Sequence, residues 1–123
     1  MATTDYLVEM NFPPFGTLLS PQEAITFSER FVLPTLETCQ RLCDAGRIVG
    51  GGTTLAAIGF SFVARTESPQ ELEEMISGLP LWSRSQTRIV PLGTFESRAK
   101  IAREALSRAK ARVQETAIVS QSN

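Results

Sequence analysis

Glu9 is the first candidate for proton-transfer chemistry in this sequence. Residues 6–12 alternate between apolar and polar types, which predicts a β-strand with one apolar face. Glu9 falls on the opposite face, between Leu7 and Asn11. A carboxylate that is partly removed from water holds a proton more readily, which suits a general acid or base near neutral pH. A purely structural ion pair between Glu9 and an arginine explains the residue equally well.

A second set of residues is suited to holding a small substrate. Arg65 and Arg88 lie in predicted strands and can bind a carboxylate through paired hydrogen bonds, although arginines at strand ends also form simple salt bridges. Trp82, in the apolar turn LPLW, is interpreted as a plug for one end of the fold or for a dimer seam, with a lid over a pocket as the alternative. The small positions that complete the predicted substrate-binding set are Asn11, Gly51, Thr53 and Ser61.

The glycines of GRIVGGGTTLAAIGFSFVAR, residues 46–65, need an explanation of their own. A phosphate-binding loop lies between a strand and a helix, but here a second strand-like run follows the glycines. Neither G-x-G-x-x-G nor G-x-x-x-x-G-K-[ST] is present. We therefore expect the glycines to remove side chains from a strand, so that a ligand or another backbone can come close. A β-bulge or a tight helix-on-sheet contact is the alternative.

Composition excludes several kinds of chemistry. The 123 residues include no histidine, so imidazole-based triads are excluded and a zinc or copper site would need unusual ligands; we expect neither metal nor cofactor. Cys39 and Cys43 lie four residues apart on a predicted helix, which favours two reduced thiols and a cytoplasmic location. The net charge of −1, with no long apolar run and no signal peptide, argues against nucleic-acid and membrane partners.

The predicted elements follow the order β-α-β-β-α-β and then a final helix. Two SPQE sequences, at residues 20–23 and 68–71, each supply a helix N-cap followed by proline and glutamate. This order predicts an α+β, ferredoxin-like domain over residues 1–95, with a four-stranded antiparallel sheet and helices on one face. The other sheet face is small and partly apolar, which favours closure by a second copy. Pro34 is expected to kink or break the first helix.

Residues 96–123 form the second predicted part, a basic C-terminal helix to about Glu115 with a frayed tail. They carry six basic and three acidic side chains, whereas residues 1–95 carry six basic and ten acidic ones. The narrow apolar stripe favours packing on a partner subunit or partial exposure over nucleic-acid or membrane binding. It consists of Ala102, Leu106, Ala109 and Val113.

Four segments, over residues 5–97, together resemble the muconolactone isomerase family: YLVEMNF, QRLCDAG, FSFVARTESPQELEE and ELEEMISGLPLW. The resemblance implies a dimeric α/β barrel in which two sheets pack face to face, and rings built from such dimers. It also implies a cofactor-free proton shift in an unsaturated lactone from aromatic catabolism. This chain departs from the family pattern in having Glu9 at a basic position and RIVGGGTTLAA in place of a polar, aromatic and imidazole-bearing strand, so we expect a wider and less charged pocket.

Three functional hypotheses follow. The leading one is a cofactor-independent, muconolactone isomerase-like enzyme that transfers a proton in a small unsaturated lactone or related oxo compound, with Glu9 as the acid or base. The second is a non-catalytic, homo-oligomeric protein that binds a small molecule on the same fold. The third, which rests on fold-level analogy, is a cofactor-free monooxygenase or cyclase.

Overall fold

Four strands form one antiparallel sheet in the computed structural model, which describes residues 2–12, 20–54 and 59–122. They are β1 (Thr4–Asn11), β2 (Ile48–Thr53), β3 (Gly59–Thr66) and β4 (Gln86–Leu92), in the spatial order β2-β3-β1-β4. The α+β class predicted from the sequence is confirmed, and the arrangement is compatible with a ferredoxin-like fold. The connection between β2 and β3, at residues 55–58, lies outside the described residues.

The first helical run begins where the sequence predicts and contains an irregular turn before Pro34. Ser20 accepts a hydrogen bond from the Glu23 N–H and donates its own backbone N–H to the Glu23 carboxylate, each over 3.2 Å. Helix α1 (Pro21–Phe27) passes through a π-helical turn (Ser28–Val32) into α2 (Leu33–Asp44). Pro34 lacks the N–H that a regular helix would donate one turn back, and the irregular turn ends two residues before it. The helix is therefore altered before Pro34 and continues through it.

The second helical run is short and ends in an apolar turn. Helix α3 (Pro69–Ser77) is capped by the Ser68 hydroxyl, which accepts from the Glu71 N–H. Residues 79–81 then follow, and Trp82–Arg84 forms a single 3-10 turn. Leu79 and Leu81 are almost fully buried. This turn therefore continues the core beyond the end of α3.

The core lies between the helices and one face of the sheet, which we call the inner face. Val8 and Met10 of β1 pair with Phe62 and Phe60 of β3, and both β1 side chains are fully buried. Leu72 and Ile76 of α3 belong to the same apolar cluster, with Phe31, Cys39 and Leu42 packed against it. Alternation of apolar residues in β1 thus defines the inner face as the sequence predicts, and the apolar residues of β3 lie on the same face.

Strand β2 contains an irregularity in its pairing with β3. Ile48 pairs with Ala64, but Gly50 pairs with Val63, so one extra residue is accommodated between them as a β-bulge. Beyond the bulge, Gly51 and Thr53 lie opposite Phe62 and Phe60, on the inner face. A one-residue shift moves every following residue to the other face, so β2 does not alternate regularly beyond Ile48.

Residues 93–123 form a second compact unit, separate from residues 1–92. This unit contains α4 (Phe95–Ser122), a helix of 28 residues. The helix extends to Ser122 and does not end near Glu115, and Thr94 caps its start by accepting from the Ser97 N–H. The residues of the predicted apolar stripe, Ala102, Leu106, Ala109 and Val113, are exposed.

Candidate functional site

The sheet face turned away from α2 and α3, which we call the outer face, carries most of the predicted site residues. Strand register arranges them in rows that cross the sheet. One row runs Gly50, Val63, Leu7 and Val90, and the next runs Gly52, Ser61, Glu9 and Arg88. We call the first the apolar row and the second the polar row. The two rows lie side by side across the sheet.

Glu9 lies in the middle of the polar row. Its carboxylate Oε2 is 3.4 Å from Arg88 Nη1, a long contact for a charge-assisted hydrogen bond. The Glu9 side chain is 32% exposed, whereas that of Arg88 is 69% exposed. The pair therefore fixes the carboxylate only loosely, and the arginine remains accessible to a second anionic group.

Ser61 and Asn11 extend the polar character of this face along the strands. Ser61 is directly opposite Glu9 in the β1–β3 register and is half-buried. Asn11 is exposed and lies opposite both Gly59 and Gln86. A Cβ at Gly59 would lie 2.7 Å from the Met10 carbonyl oxygen and 3.2 Å from Asn11 Oδ1, so only glycine fits beside Asn11 without a shift.

Arg65 is held by a stronger ion pair at the other end of the outer face. Its Nε and Nη2 donate to the two carboxylate oxygens of Asp5 over 2.8 and 3.1 Å, a bidentate geometry. This hydrogen bonding lowers the pKa of the Asp5 carboxyl and raises that of Arg65. Arg65 is therefore already committed to Asp5, and Arg88 is the more available of the two arginines.

Gly51 and Thr53 lie apart from the other predicted site residues. The bulge in β2 brings them to a pocket of about 190 Å³ between α2 and strands β2 and β3, which we call the α2–β2 pocket. Its lining residues are Leu36, Cys39, Gln40, Cys43, Ile48, Gly51, Gly52, Thr53, Phe60 and Phe62. Glu9 and the arginines are absent from this lining.

The α2–β2 pocket contains residues that the sequence analysis did not assign to a site. Leu36, Gln40 and Cys43 recur at helical spacing, which places them on one side of α2. The sequence alone could predict that these three residues share one side of α2. It could not predict which strand residues face them, because that depends on the bulge in β2. Both cysteines are free thiols, and burial raises the pKa of Cys39, with the neighbouring Cys43 raising it further.

Trp82 lies at the start of the 3-10 turn and is 43% exposed. The Trp82 backbone N–H donates a hydrogen bond to the Leu79 carbonyl oxygen over 2.9 Å, which closes the turn. The same turn positions Arg84, whose guanidinium lies 5.4 and 5.1 Å from the ring centroids of Phe27 and Phe31. Trp82 therefore lies partly exposed in a turn that packs against the first helical run.

Two further findings concern only the described part of the chain. Among residues 2–12, 20–54 and 59–122, no group of three histidine, cysteine, aspartate or glutamate side chains is placed to hold a metal ion. Within the same residues, no helix combines the length and the apolar character that crossing a bilayer requires.

In comparisons with known proteins, no family model matches this chain, and no curated protein matches it significantly.

Proposed function

We propose that this protein is a homodimeric, cofactor-independent enzyme that resembles muconolactone isomerase and transfers a proton within a small unsaturated lactone or related oxo compound. The observation that carries the proposal is the position of Glu9 in the polar row, opposite Ser61 and beside Arg88. These three side chains place a base, a hydroxyl and a cation on one sheet face.

The outer face has the composition that a second copy can cover. Leu7, Val63 and Val90 form a half-buried apolar row across three strands. Stacked sheets pack about 10 Å apart, so two such faces desolvate each other's apolar rows. In the proposed dimer, glycine and serine positions beside Glu9 leave space between the sheets for a small molecule.

The proposed reaction uses only side chains of the polar row. The Glu9 carboxylate removes a proton from the carbon at the end of the conjugated system far from the substrate carbonyl, and the electron pair of that C–H bond moves through the double bond toward the carbonyl. Negative charge develops on the carbonyl oxygen, where the Arg88 guanidinium stabilises it. The protonated Glu9 then returns the proton to the carbon beside the carbonyl, which moves the double bond and restores the carboxylate.

Proton NMR of muconolactone in heavy water tests this proposal. Wild-type protein is expected to introduce deuterium into the lactone, and Glu9→Gln, which cannot accept the proton, is expected to lose this exchange. Glu73→Gln, the same change at an exposed position of α3, serves as the matched control and should exchange like wild type. Absence of wild-type exchange above the protein-free sample would overturn the proposal for this substrate.

The second candidate is a non-catalytic binding protein on the same homodimer. The ion pair of Glu9 with Arg88 favours it, because a carboxylate neutralised by a cation can serve structure alone. This candidate predicts that muconolactone raises the thermal midpoint by binding the native state, with no deuterium incorporation. The same samples therefore separate the two functions.

A further inference from the structure

The α2–β2 pocket lies on the opposite side of the sheet from Glu9 and needs its own explanation. Its floor is formed by Phe60 and Phe62 on the inner face of β3. Its other wall is the side of α2 that carries Cys39 and Cys43. The proposed reaction uses none of these residues.

Gly51 shapes this pocket, because the backbone bulge at the glycine run brings Gly51 and Thr53 into its lining. Gly51 has φ +113°, and a Cβ there would collide with the Ser61 carbonyl oxygen and the Phe62 Cα, so the strand can approach β3 closely only with glycine. Gly50 and Gly52 are different, because a Cβ at either would meet nothing within 4 Å. These two positions lie in the apolar and polar rows of the outer face, so the open space beside them is on the other side of the sheet from the pocket.

The lining defines the chemistry of a ligand. Leu36, Ile48 and the two phenylalanines supply an apolar surface, and none of the ten lining residues is charged. Few polar atoms line the pocket. The Gln40 amide Nε2 donates to Asp44 Oδ1 over 3.0 Å, which leaves the Gln40 carbonyl oxygen as an acceptor. Thr53 adds a hydroxyl group. An uncharged molecule with one polar group fits this set, whereas an anion finds no counter-charge.

We propose that the α2–β2 pocket is a second small-molecule site, which binds an uncharged single-ring aromatic molecule carrying one hydroxyl group. Its volume of about 190 Å³ suits one ring, since an apolar cavity of about 150 Å³ binds benzene. The ring packs on Phe60 and Phe62, and the hydroxyl donates to the Gln40 carbonyl oxygen.

The two cysteines report on occupancy of this pocket. The chain contains only Cys39 and Cys43, and both line the pocket, so alkylation by iodoacetamide is specific to it. The probe is p-cresol, compared with p-hydroxybenzoate, which has the same ring and hydroxyl but carries a charge. Alkylation of each cysteine is followed by mass spectrometry of the full-length chain and of its peptides.

Saturating p-cresol is expected to slow alkylation several-fold, and p-hydroxybenzoate is expected to have little effect. Gln40→Trp fills the pocket from α2 and should abolish the protection. Glu37→Trp introduces the same side chain at an exposed position of the same helix that is not part of the lining, and should retain it. If Gln40→Trp does not fold, Cys43→Trp fills the pocket instead and leaves Cys39 as the reporter.

Three results would overturn the proposal: equal alkylation rates with and without p-cresol, equal protection by the charged analogue, or protection that persists when the pocket is filled. This experiment does not depend on Glu9 or on turnover. The pocket and the proton-transfer activity can therefore fail independently.

Discussion

The hydroxyl of Thr35 accepts a hydrogen bond from the backbone N–H of Leu81 over 3.1 Å, joining residues 46 positions apart. The same hydroxyl donates to the Phe31 carbonyl oxygen over 2.7 Å, and Thr35 is fully buried. One side chain thus fixes the turn that carries Trp82 against α2. It satisfies a buried backbone donor that lies outside any helix or strand.

Thr35→Val is expected to destabilise the fold by about 1–3 kcal/mol, because it keeps the side-chain shape but leaves the buried Leu81 N–H without its acceptor. Urea unfolding measures the change. Thr38→Val is the matched control, since Thr38 donates to the Pro34 carbonyl oxygen over 2.7 Å on the same helix but supports no distant backbone group. Equal losses in the two variants would contradict a special role for the Thr35–Leu81 bond.

Gly51→Ala is expected to lower the free energy of unfolding by about 1–3 kcal/mol. Alanine at φ +113° is strained, and its Cβ collides with the β3 backbone. Gly50→Ala should be neutral or stabilising by up to about 1 kcal/mol, since its Cβ has open space and the unfolded chain becomes less flexible. Thermal unfolding of the two variants tests this ordering, and similar midpoints would contradict the bulge geometry.

Val63→Asp is expected to convert the proposed homodimer into monomers. It places a charge in the middle of the apolar row, between Leu7 and Gly50, where a facing sheet would desolvate it. Analytical ultracentrifugation measures the association state. Ile25→Asp, at an exposed position of α1, is the control and should leave it unchanged. A monomeric wild type at high micromolar concentration would remove the dimer from the proposal.

The Asp5–Arg65 pair predicts a specific acid sensitivity. The arginine lowers the pKa of Asp5 in the folded state, so its stabilisation is fully present above the ordinary value of 3.8 and is lost as pH falls through the lowered pKa. Asp5→Asn should therefore cost about 0.2–1 kcal/mol at neutral pH, as for other partly exposed pairs, and nothing at strongly acidic pH.

Urea unfolding of both chains from pH 2 to 7 tests this expectation. Repeating the series in 1 M salt provides the control, because screening weakens an exposed ion pair and should narrow the difference between the two chains. A difference that stays constant across the whole pH range would show that Asp5 acts by packing and not through its charge.

Local signals made much of the fold predictable. The two capping serines and the alternation in β1 and β3 each depend on residues close together in the chain, so helix starts and the inner face followed directly. The bulge in β2 could not be read in this way, because three glycines carry no apolar pattern to fix the register. Gly51 and Thr53 were consequently assigned to a site with Glu9, whereas they line the pocket beside α2. The partner of the outer face stays a prediction, since a single chain contains only half of any such interface.

The π-helical turn at Ser28–Val32 has a consequence for the phase of the first helical run. Phe27 and Thr35 are eight residues apart, which in a regular α-helix would separate them by about 80° of rotation. The turn bonds Leu33 N–H to the Ser28 carbonyl oxygen, five residues back, and so absorbs one residue. The separation falls to about 20°, so the side chains before and after the turn share one face. The run is thus a regular helix with one inserted residue, and a chain lacking Glu29, an exposed residue within the turn, would keep both halves in phase.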